Sequence, residues 1–323
     1  MKPSPVLDAL RKRLGMPEDH PRLHELQAWV ETWLPDSYRN AERFTPEQLP
    51  EAARQALISA ISVPESWFWR YPAQLQRVVE RVRSLPANAA PLEIWSACCA
   101  GGEEPYTLLL MLEACGLADR VRIVATDINP DKLRQAQDGV YSARAVRQIP
   151  ESIRRKAFTQ QGYHYVLSAA YRDRIRFDRL DLLAFAAGQV QAPLPRPDVI
   201  LCRNALIYFD RHHQTAITDA FLRVTRPGAW LLLGHSERLP LTRDVSGPCW
   251  QLITAADHTL YEHVRPVAGQ PVTAQARHTV TGPRAVPQNR DGTGPAASPV
   301  PAPARPFTVN GESPPPISRP GHF

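Results

Sequence analysis

Residues Leu92–Asp127 read LEIWSACCAGGEEPYTLLLMLEACGLADRVRIVATD, and this stretch decides the fold. An apolar run leads into a loop of small residues, a helical segment follows, and a second apolar run ends in Asp127. This order of strand, loop, helix and strand predicts the first β-α-β unit of a nucleotide-type parallel sheet. Small loop residues let a ligand approach the backbone closely, and an acid that ends the second strand can bind ribose hydroxyls.

Two carboxylates, those of Glu103 and Glu104, stand where the helix starts. A diphosphate binds best to bare N–H groups at a positive helix N-terminus, and these two acids would repel it. They favour a cationic ligand instead. S-adenosyl-L-methionine has a ribose, an amino group and a sulfonium but no phosphate, and we therefore expect it to be the ligand of this loop.

Composition restricts the class of protein. The 323 residues, of which 43% are hydrophobic, suffice for one large domain and a smaller one. The net charge of +6 comes without a compact basic run interleaved with aromatic residues, so we expect no nucleic-acid partner. Five cysteines without a C-x-x-C pair are typical of a reduced, cytoplasmic protein. We see no signal peptide, and we expect no membrane insertion because the apolar runs are too short to span a bilayer.

The pattern of residues divides the chain into successive parts. Residues 1–80 are predicted to form an all-helical domain, because apolar residues recur at helical spacing between prolines. Residues 81–266 alternate strand and helix signals, which predicts an α/β domain with a mostly parallel sheet. Within it, residues 141–174 are less regular and predict a small inserted β-subdomain. Residues 267–323 are rich in proline and are predicted to be a disordered tail.

The α/β domain yields specific predictions of elements. Its strand candidates are Leu92–Ala97, Val121–Asp127, Ile175–Asp178, Asp198–Arg203 and Ala229–Gly234. Its helix candidates are Tyr106–Cys115, Pro130–Asp138 and His212–Arg226. An antiparallel edge pair is predicted from Trp250–Thr254 and Leu260–His263.

Polar residues follow the fourth predicted strand in DVILCRNALIYFD, residues Asp198–Asp210. Since α/β sheets place ligands at the carboxyl ends of their strands, the amide of Asn204 and the phenol of Tyr208 are expected at one crevice. A strand followed by a capped helix, without a binding role, is the alternative interpretation.

The block VPESWFWR, residues Val63–Arg70, places an arginine next to aromatic side chains. An arginine against aromatic walls is well suited to bind a carboxylate through two parallel hydrogen bonds. The alternative is a hydrophobic clamp between domains with a solvated Arg70.

Two other clusters of polar residues do not predict a metal site or a catalytic triad. His212 and His213 lack further ligands at suitable spacing, so we expect no metal. The sequence His235-Ser236-Glu237 shares only its composition with a hydrolase triad, and the G-x-S-x-G turn of a nucleophile is missing.

Taken together, five blocks resemble the chemotaxis receptor methyltransferase (CheR-type) family over roughly residues 5–265. They read VPESWFWR, WSACCAGGEEPYT, ATDIN, CRNALIYFD and RPGAWLLLGHSE. The resemblance implies a protein-glutamate O-methyltransferase with a Rossmann-like class I methyltransferase domain behind a helical N-terminal domain. It implies S-adenosyl-L-methionine as donor, S-adenosyl-L-homocysteine as product, and the cytoplasmic helical bundle of membrane chemoreceptors as partner. We expect a monomer.

The resemblance also implies roles for individual residues. Arg70 would orient the acceptor carboxylate near the donor methyl group, and Tyr208 would shape the methyl site. The donor would be bound by Ser66, Arg70, Glu104, Asp127, Asp181, Leu182, Arg203 and Asn204. Whether Glu104 or the adjacent Glu103 contacts the donor stays open.

The chain also departs from the family pattern. Pro64 stands where many members have an asparagine, Trp69 replaces a phenylalanine, and Asp181 replaces an asparagine. The donor loop has Cys99-Ala100-Gly101 where Cys-Ser-Thr is common. The segment between Phe158 and Phe177 is shorter than in members that capture a receptor C-terminal peptide, so we predict no such tethering. Two alternatives remain, a degenerate S-adenosylmethionine-binding signalling module and a methyltransferase for another substrate, such as a small molecule or a nucleic acid.

Overall fold

The computed structural model describes residues 5–34, 49–63, 65–239, 248–255 and 258–265. The sequence predictions made for Pro64 and for the tail 267–323 therefore lie outside the described residues. The first helices are α1 (Pro5–Arg13), α2 (Leu23–Trp33), α3 (Glu51–Ile61) and α4 (Pro72–Ser84).

Helices α1 to α3 share a small core of their own. Buried side chains from each of them, such as Leu10, Leu26 and Leu57, pack together. The indole of Trp29 donates a hydrogen bond of 3.0 Å to the carbonyl of Ala53, which joins α2 to α3. Helix α4 instead buries its apolar stripe in the core of the sheet domain, through Leu75, Val78, Val79 and Val82.

The sheet domain follows α4. Its strands are β1 (Leu92–Ala97), β2 (Val121–Asp127), β3 (Val140–Ser142), β4 (Phe158–Gln161), β5 (His164–Leu167), β6 (Ile175–Arg179), β7 (Val199–Cys202), β8 (Trp230–Leu233), β9 (Cys249–Ala255) and β10 (His258–Val264). Its helices are α5 (Glu103–Ala114), α6 (Pro130–Asp138), α7 (Ala143–Val146), α8 (Glu151–Ala157), α9 (Ala169–Arg172), α10 (Leu182–Ala186) and α11 (Arg211–Val224).

Within the described residues, seven strands form the main sheet in the order β6-β2-β1-β7-β8-β10-β9. The strands from β6 to β8 run parallel, and β10 pairs antiparallel with both β8 and β9. The order reverses between β1 and β7, and such a reversal opens a crevice at the carboxyl ends of the two strands. The predicted α/β fold with a Rossmann-like sheet is confirmed.

Both faces of the main sheet are covered, which explains why its central strands β1, β7 and β8 are mostly apolar. Successive β1 residues face opposite layers: Ile94 packs in the core that contains α4 and α5, and Trp95 in the core that contains α10 and α11. The Trp95 ring meets Phe185 and Phe221 edge-on, at centroid distances of 5.2 and 5.3 Å. A parallel sheet is stable only with such cover on both sides.

The insertion after α6 contains a separate antiparallel sheet, ordered β3-β5-β4. Gly162 and Tyr163 form the turn between β4 and β5. Helix α5 begins three residues before the predicted start at Tyr106, because Pro105 lies in the first turn, where the missing N–H of proline has no partner to lose. In the part of the chain that the structure describes, no helix has the length and apolarity needed to cross a membrane.

Candidate functional site

A cleft opens at the carboxyl ends of β1, β2 and β7. It has about 1360 Å³ of empty space, counted with its open mouth. Every residue that the sequence predicted as a site residue lines it: Ser66, Arg70, Glu104, Asp127, Asp181, Leu182, Arg203, Asn204 and Tyr208. Leu14, Met16 and His20 of the N-terminal helical part complete the wall, and sequence reasoning missed them. The cleft therefore draws on segments that are far apart in the chain.

The backbone around the cleft is strained. Among the described residues, the non-glycine residues with positive φ are Trp69, Tyr71, Cys98, Ala100 and Asn204. Each lines the cleft or is the chain neighbour of Arg70, which does. The left-handed conformation costs an ordinary residue about 1–2 kcal/mol, so the surrounding contacts must hold these loops in place. Such clusters of strain are characteristic of functional sites.

Asp127 holds the loop that follows β1. Its Oδ2 accepts a hydrogen bond of 2.9 Å from the N–H of Ala100, and its Oδ1 accepts one of 2.9 Å from the N–H of Asn129. Burial raises the pKa of Asp127, and these N–H groups act against the rise. The carboxylate thus fixes the loop geometry and leaves lone pairs free to accept hydrogen bonds from a ligand.

The adjacent glutamates of α5 face different surroundings. Glu103 is only 4% exposed and does not line the cleft, and its Oε2 has no hydrogen-bond partner among the described residues. Burial raises the pKa of Glu103, although the Ser66 hydroxyl bonds to it. Glu104 lines the cleft, where its Oε1 accepts from the hydroxyl of Ser96 at 2.9 Å. The geometry favours Glu104 as the ligand-facing acid.

Arg203 connects helix α5 to the segment around Arg70. Its Nη1 donates to Glu104 Oε2 at 3.0 Å, its Nε to Gln74 Oε1 at 2.7 Å, and its Nη2 to the carbonyl of Arg70 at 2.6 Å. Burial lowers the pKa of Arg203, and the Glu104 carboxylate opposes that change. Although Arg203 lines the cleft, each nitrogen of its guanidinium is bonded to a protein group. Its visible effect is to fix Glu104 and the backbone of Arg70.

The guanidinium of Arg70 lies over an aromatic ring at the cleft. Its Cζ is 4.4 Å from the centroid of the Trp67 ring, and its Nη1 donates to the carbonyl of Glu65 at 2.8 Å. Its Nε is buried without a hydrogen-bond partner in the described part of the chain. The guanidinium thus lies at the cleft, held by the Glu65 carbonyl and the Trp67 ring.

Tyr208 lines the cleft beside the N-terminal helical part. Its ring meets that of His20 edge-on at 5.7 Å, which joins the turn that follows β7 to that helical part. Burial raises the pKa of Tyr208, while the positive charge of Arg70 lowers it. The phenol accordingly stays protonated at neutral pH, close to the guanidinium.

Asn204 links the cleft to an acid that the sequence analysis had set aside. Its N–H donates to Oε2 of Glu237 at 2.8 Å, while its own Oδ1 is buried and has no partner among the described residues. Glu237 is 4% exposed. The sequence offered one signal for it, the position of His235-Ser236-Glu237 directly after a buried strand, but the missing nucleophile turn led us to disregard it.

The side chains that line the cleft fit S-adenosylmethionine. Carboxylates at Glu104 and Asp127 suit an ammonium group and ribose hydroxyls, and the buried Leu182 at the start of α10 offers an apolar surface for a base. The unpartnered Oδ1 of Asn204 and Nε of Arg70 are a buried acceptor and a buried donor, of the kind that a bound ligand satisfies. In the described residues, no group of histidine, cysteine and acidic side chains is arranged to hold a metal ion.

Comparisons with known proteins agree with this reading. Residues 65–249 match the family model described as CheR methyltransferase, SAM binding domain. Chemotaxis protein methyltransferase 2 of Vibrio cholerae is 37% identical over 192 residues, which cover 57% of this chain and 66% of that protein. The probable biofilm formation methyltransferase WspC of Pseudomonas aeruginosa is 34% identical over 188 residues, or 57% of this chain and 44% of that protein.

The chain thus spans less than two thirds of the length of both relatives. Among solved structures, the rRNA methyltransferase aviRa from Streptomyces viridochromogenes aligns with a TM-score of 0.40 at 14% identity, over 63% of this chain and 88% of that one.

Proposed function

Because the chain belongs to the CheR methyltransferase family, we propose that it transfers a methyl group from S-adenosyl-L-methionine to glutamate carboxylates of membrane chemoreceptors. S-adenosylmethionine is the cofactor of the matched domain. The observation that most supports a carboxylate acceptor is Arg70, whose guanidinium lies over Trp67 with an unpartnered Nε in the same cleft as Glu104 and Asp127.

The proposed chemistry needs positioning more than proton transfer. A glutamate side chain with a pKa of about 4.3 is already ionised at neutral pH, so it attacks without a general base. When bound, S-adenosylmethionine supplies an electrophilic methyl group on a positively charged sulfur. Arg70 would orient the acceptor by parallel hydrogen bonds, and good alignment can lower a barrier by up to about 7–11 kcal/mol. Too strong a hold on the ground state would lower KM without raising kcat.

We assign the remaining cleft residues to donor binding. Glu104 would bind the amino group, Asp127 the ribose, and Asp181 with Leu182 the adenine. Ser66, Arg203 and Asn204 would complete the donor site, Arg203 through its hold on Glu104. Tyr208 would shape the space around the transferred methyl group. The support for these roles is that the side chains line one cleft with the chemistry that each ligand part requires.

The proposal extends to the whole chain. Residues 1–80 would form the N-terminal helical domain, and residues 81–266 the methyltransferase domain with its β-subdomain at 141–174. The protein would act as a cytoplasmic monomer on the helical bundle of the receptor, without nucleic acid and without a tethering peptide.

The decisive experiment is a methyl-ester assay. The full-length protein is incubated with donor labelled in its methyl group and with membranes that contain chemoreceptors from the same cell. We expect label in the receptor band, released as methanol by mild base, since carboxylate methyl esters are base-labile. Because one relative is named for biofilm formation, membranes from swimming and from surface-attached cells are compared.

Two other outcomes define the alternatives. Donor binding without any transfer to receptors would favour a degenerate signalling module. Transfer that is stable to base, or that appears in a small molecule or a nucleic acid, would favour a methyltransferase for another substrate.

A further inference from the structure

Glu237 lies at the junction of the two turns that follow β7 and β8. Its Oε2 accepts hydrogen bonds from the N–H of Asn204 at 2.8 Å and from the N–H of Gly234 at 2.5 Å. Its Oε1 accepts from the N–H of Ile207 at 3.1 Å. One buried carboxylate therefore binds backbone groups at both turns.

The turn that follows β7 presents Arg203, Asn204 and Tyr208 to the cleft. Asn204 has φ of 59°, a left-handed conformation that the bond from its N–H to Glu237 helps to hold. Ile207, the second anchor, directly precedes Tyr208. Burial raises the pKa of Glu237, and the backbone N–H groups that bond to it act against the rise. A carboxylate in this place accepts every bond and has no hydrogen that would oppose an N–H group.

Gly234 shows how closely the two turns approach. A Cβ atom on this residue would lie 2.7 Å from Nδ2 of Asn204 and 2.8 Å from Oε2 of Glu237, too close for any real contact. The backbone of Gly234 is not in the left-handed region, so another residue would be resisted by these contacts and not by its own conformation. The missing side chain of Gly234 therefore leaves room for the Asn204 amide, whose Oδ1 is buried without a partner among the described residues.

We propose that Glu237 is a positioning residue, which holds Asn204 and Tyr208 in place for donor binding and methyl transfer through the acceptor oxygens of its carboxylate. This inference deepens the proposed function and rests on it where methyl transfer is concerned. It adds a residue that is not among those that line the cleft.

The proposal predicts which substitutions of Glu237 are most harmful, and the predicted order differs from the one that side-chain volume alone would give. Glutamine has the size of glutamate but only one acceptor oxygen, so its NH₂ would face either the N–H of Ile207 or those of Asn204 and Gly234. Aspartate is shorter by one methylene but keeps both acceptors. We therefore expect product affinity and kcat to be highest in wild type, lower in Glu237→Asp and lowest in Glu237→Gln. If Glu237 only filled space, Glu237→Gln would instead be closer to wild type than Glu237→Asp.

The experiment compares Glu237→Gln, Glu237→Asp and Gly234→Ala with Ser236→Ala, an exposed neighbour in the same turn. For each full-length protein we measure Tm, the Kd for S-adenosyl-L-homocysteine by calorimetry, and kcat and KM for receptor-containing membranes. Glu237→Gln is expected to weaken product binding and lower kcat by about tenfold to hundredfold per folded molecule, with KM for the receptor unchanged. Gly234→Ala should reproduce this pattern by displacing the amide, and Ser236→Ala should match wild type.

The outcomes separate the two ideas. If wild type transfers no methyl group to receptors but the order of Kd values holds, the proposed function fails and the positioning role at the ligand site stands. If wild type is active and Glu237→Gln matches it in Kd and kcat, the positioning role fails and the function stands. If Glu237→Gln does not fold, Gly234→Ala decides, and a wild-type Kd and kcat in that variant overturn the inference.

Discussion

At the scale of single residues, Glu103 and Glu104 show how neighbours in sequence acquire different properties. The helix turns by about 100° per residue, so two successive side chains cannot share one environment. Glu103 points into the protein beside Ser66, and Glu104 points to the cleft and pairs with Arg203. The two acids should therefore respond differently to the same substitution.

We predict that Glu104→Gln weakens donor binding and that Glu103→Gln does not. The Glu104 substitution removes a charge that faces the cleft and leaves the buried Arg203 without its anionic partner, a loss that costs about 3–5 kcal/mol of stability. Calorimetric titration with S-adenosyl-L-homocysteine measures both variants. A larger loss of affinity in Glu103→Gln would assign the donor contact to Glu103, and equal affinities in the two variants would contradict the prediction.

The same pair gives a prediction for pH. Burial raises the pKa of Glu103, so the folded protein binds more protons than the unfolded chain as pH falls toward that raised pKa. The contribution of Glu103 to stability consequently falls as pH rises through its folded pKa. Glu103→Gln should then melt above wild type near pH 8, and the difference should vanish near pH 4, about the ordinary pKa of glutamate. Glu113→Gln on the same helix is the control, and a gain in Tm that is independent of pH would contradict the argument.

For Arg70 we predict loss of turnover with donor binding retained. Arg70→Ala removes the group that would orient the acceptor carboxylate, and misplacement of reacting groups costs about a hundredfold in rate. Arg147 offers a matched control, because its Cζ also lies over the Trp67 ring, at 5.4 Å, outside the residues that line the cleft. Arg147→Ala should keep kcat. Near-normal methyl incorporation by Arg70→Ala would remove Arg70 from the reaction.

What the sequence predicted at this scale depended on local motifs. Arg70, Asn204 and Tyr208, which line the cleft, could be predicted because each stands in a short block whose chemistry is readable. His20 and Glu237 were not predicted because their contacts are with residues distant in the chain.

Backbone strain was equally invisible in the sequence. Bulky residues such as Trp69 and Tyr71 disfavour positive φ, so nothing in their identity predicts it. Only the folded chain, in which Arg203 bonds the carbonyls of Arg70 and Tyr71, accounts for that conformation.

At the scale of elements, the long periodic segments were predictable and the irregular ones were not. The bounds of β1, β2 and α6 agree with their predictions, because an apolar run or an Asn-Pro cap defines each of them. Strand β7 was also predicted, one residue longer at each end than it is. Helix α10 was not predicted, because its five residues depend on packing against the sheet more than on their own propensity. Its N-cap residue Asp181 lines the cleft, so an element that the sequence did not predict supplies part of the site.

The loop before α5 gives the prediction at this scale. Gly102 has φ of 85°, and a Cβ there would lie 2.9 Å from Ala136 Cβ and 3.0 Å from the Tyr106 ring. Gly116 has φ of 67° but nothing within 4 Å of a Cβ. Both Gly→Ala changes add about 1–2 kcal/mol of backbone strain, and only Gly102→Ala adds a collision that moves the donor loop. We expect Gly102→Ala to lose more Tm than Gly116→Ala and to weaken S-adenosyl-L-homocysteine binding, which Gly116→Ala should leave unchanged. If the two variants lost Tm equally and bound S-adenosyl-L-homocysteine equally well, backbone strain alone would account for the effect of Gly102→Ala.

At the scale of the whole molecule, the cleft joins the helical part to the sheet domain. The N–H of Asp210 donates to the carbonyl of Gly15 at 2.7 Å, next to the contact between His20 and Tyr208. A ligand in the cleft touches walls from both parts, so its binding should stabilise them together. The small sheet of β3, β5 and β4 packs on the sheet domain, because Tyr141, Phe158 and Leu167 are buried in its core.

We predict that this small sheet does not tether a receptor peptide. Strand β4 is an edge of only four residues, joined to β5 by the turn at Gly162 and Tyr163, and pairs of such short strands are marginal in water. A peptide added to that edge would gain few hydrogen bonds. A synthetic peptide with the receptor's C-terminal sequence should show no saturable binding by calorimetry, and receptors without those residues should keep their KM. Tyr163→Ala, which removes a ring that is 93% exposed at the turn, should leave KM unchanged as well. Micromolar binding of the peptide, or a rise in KM for the shortened receptor, would establish tethering.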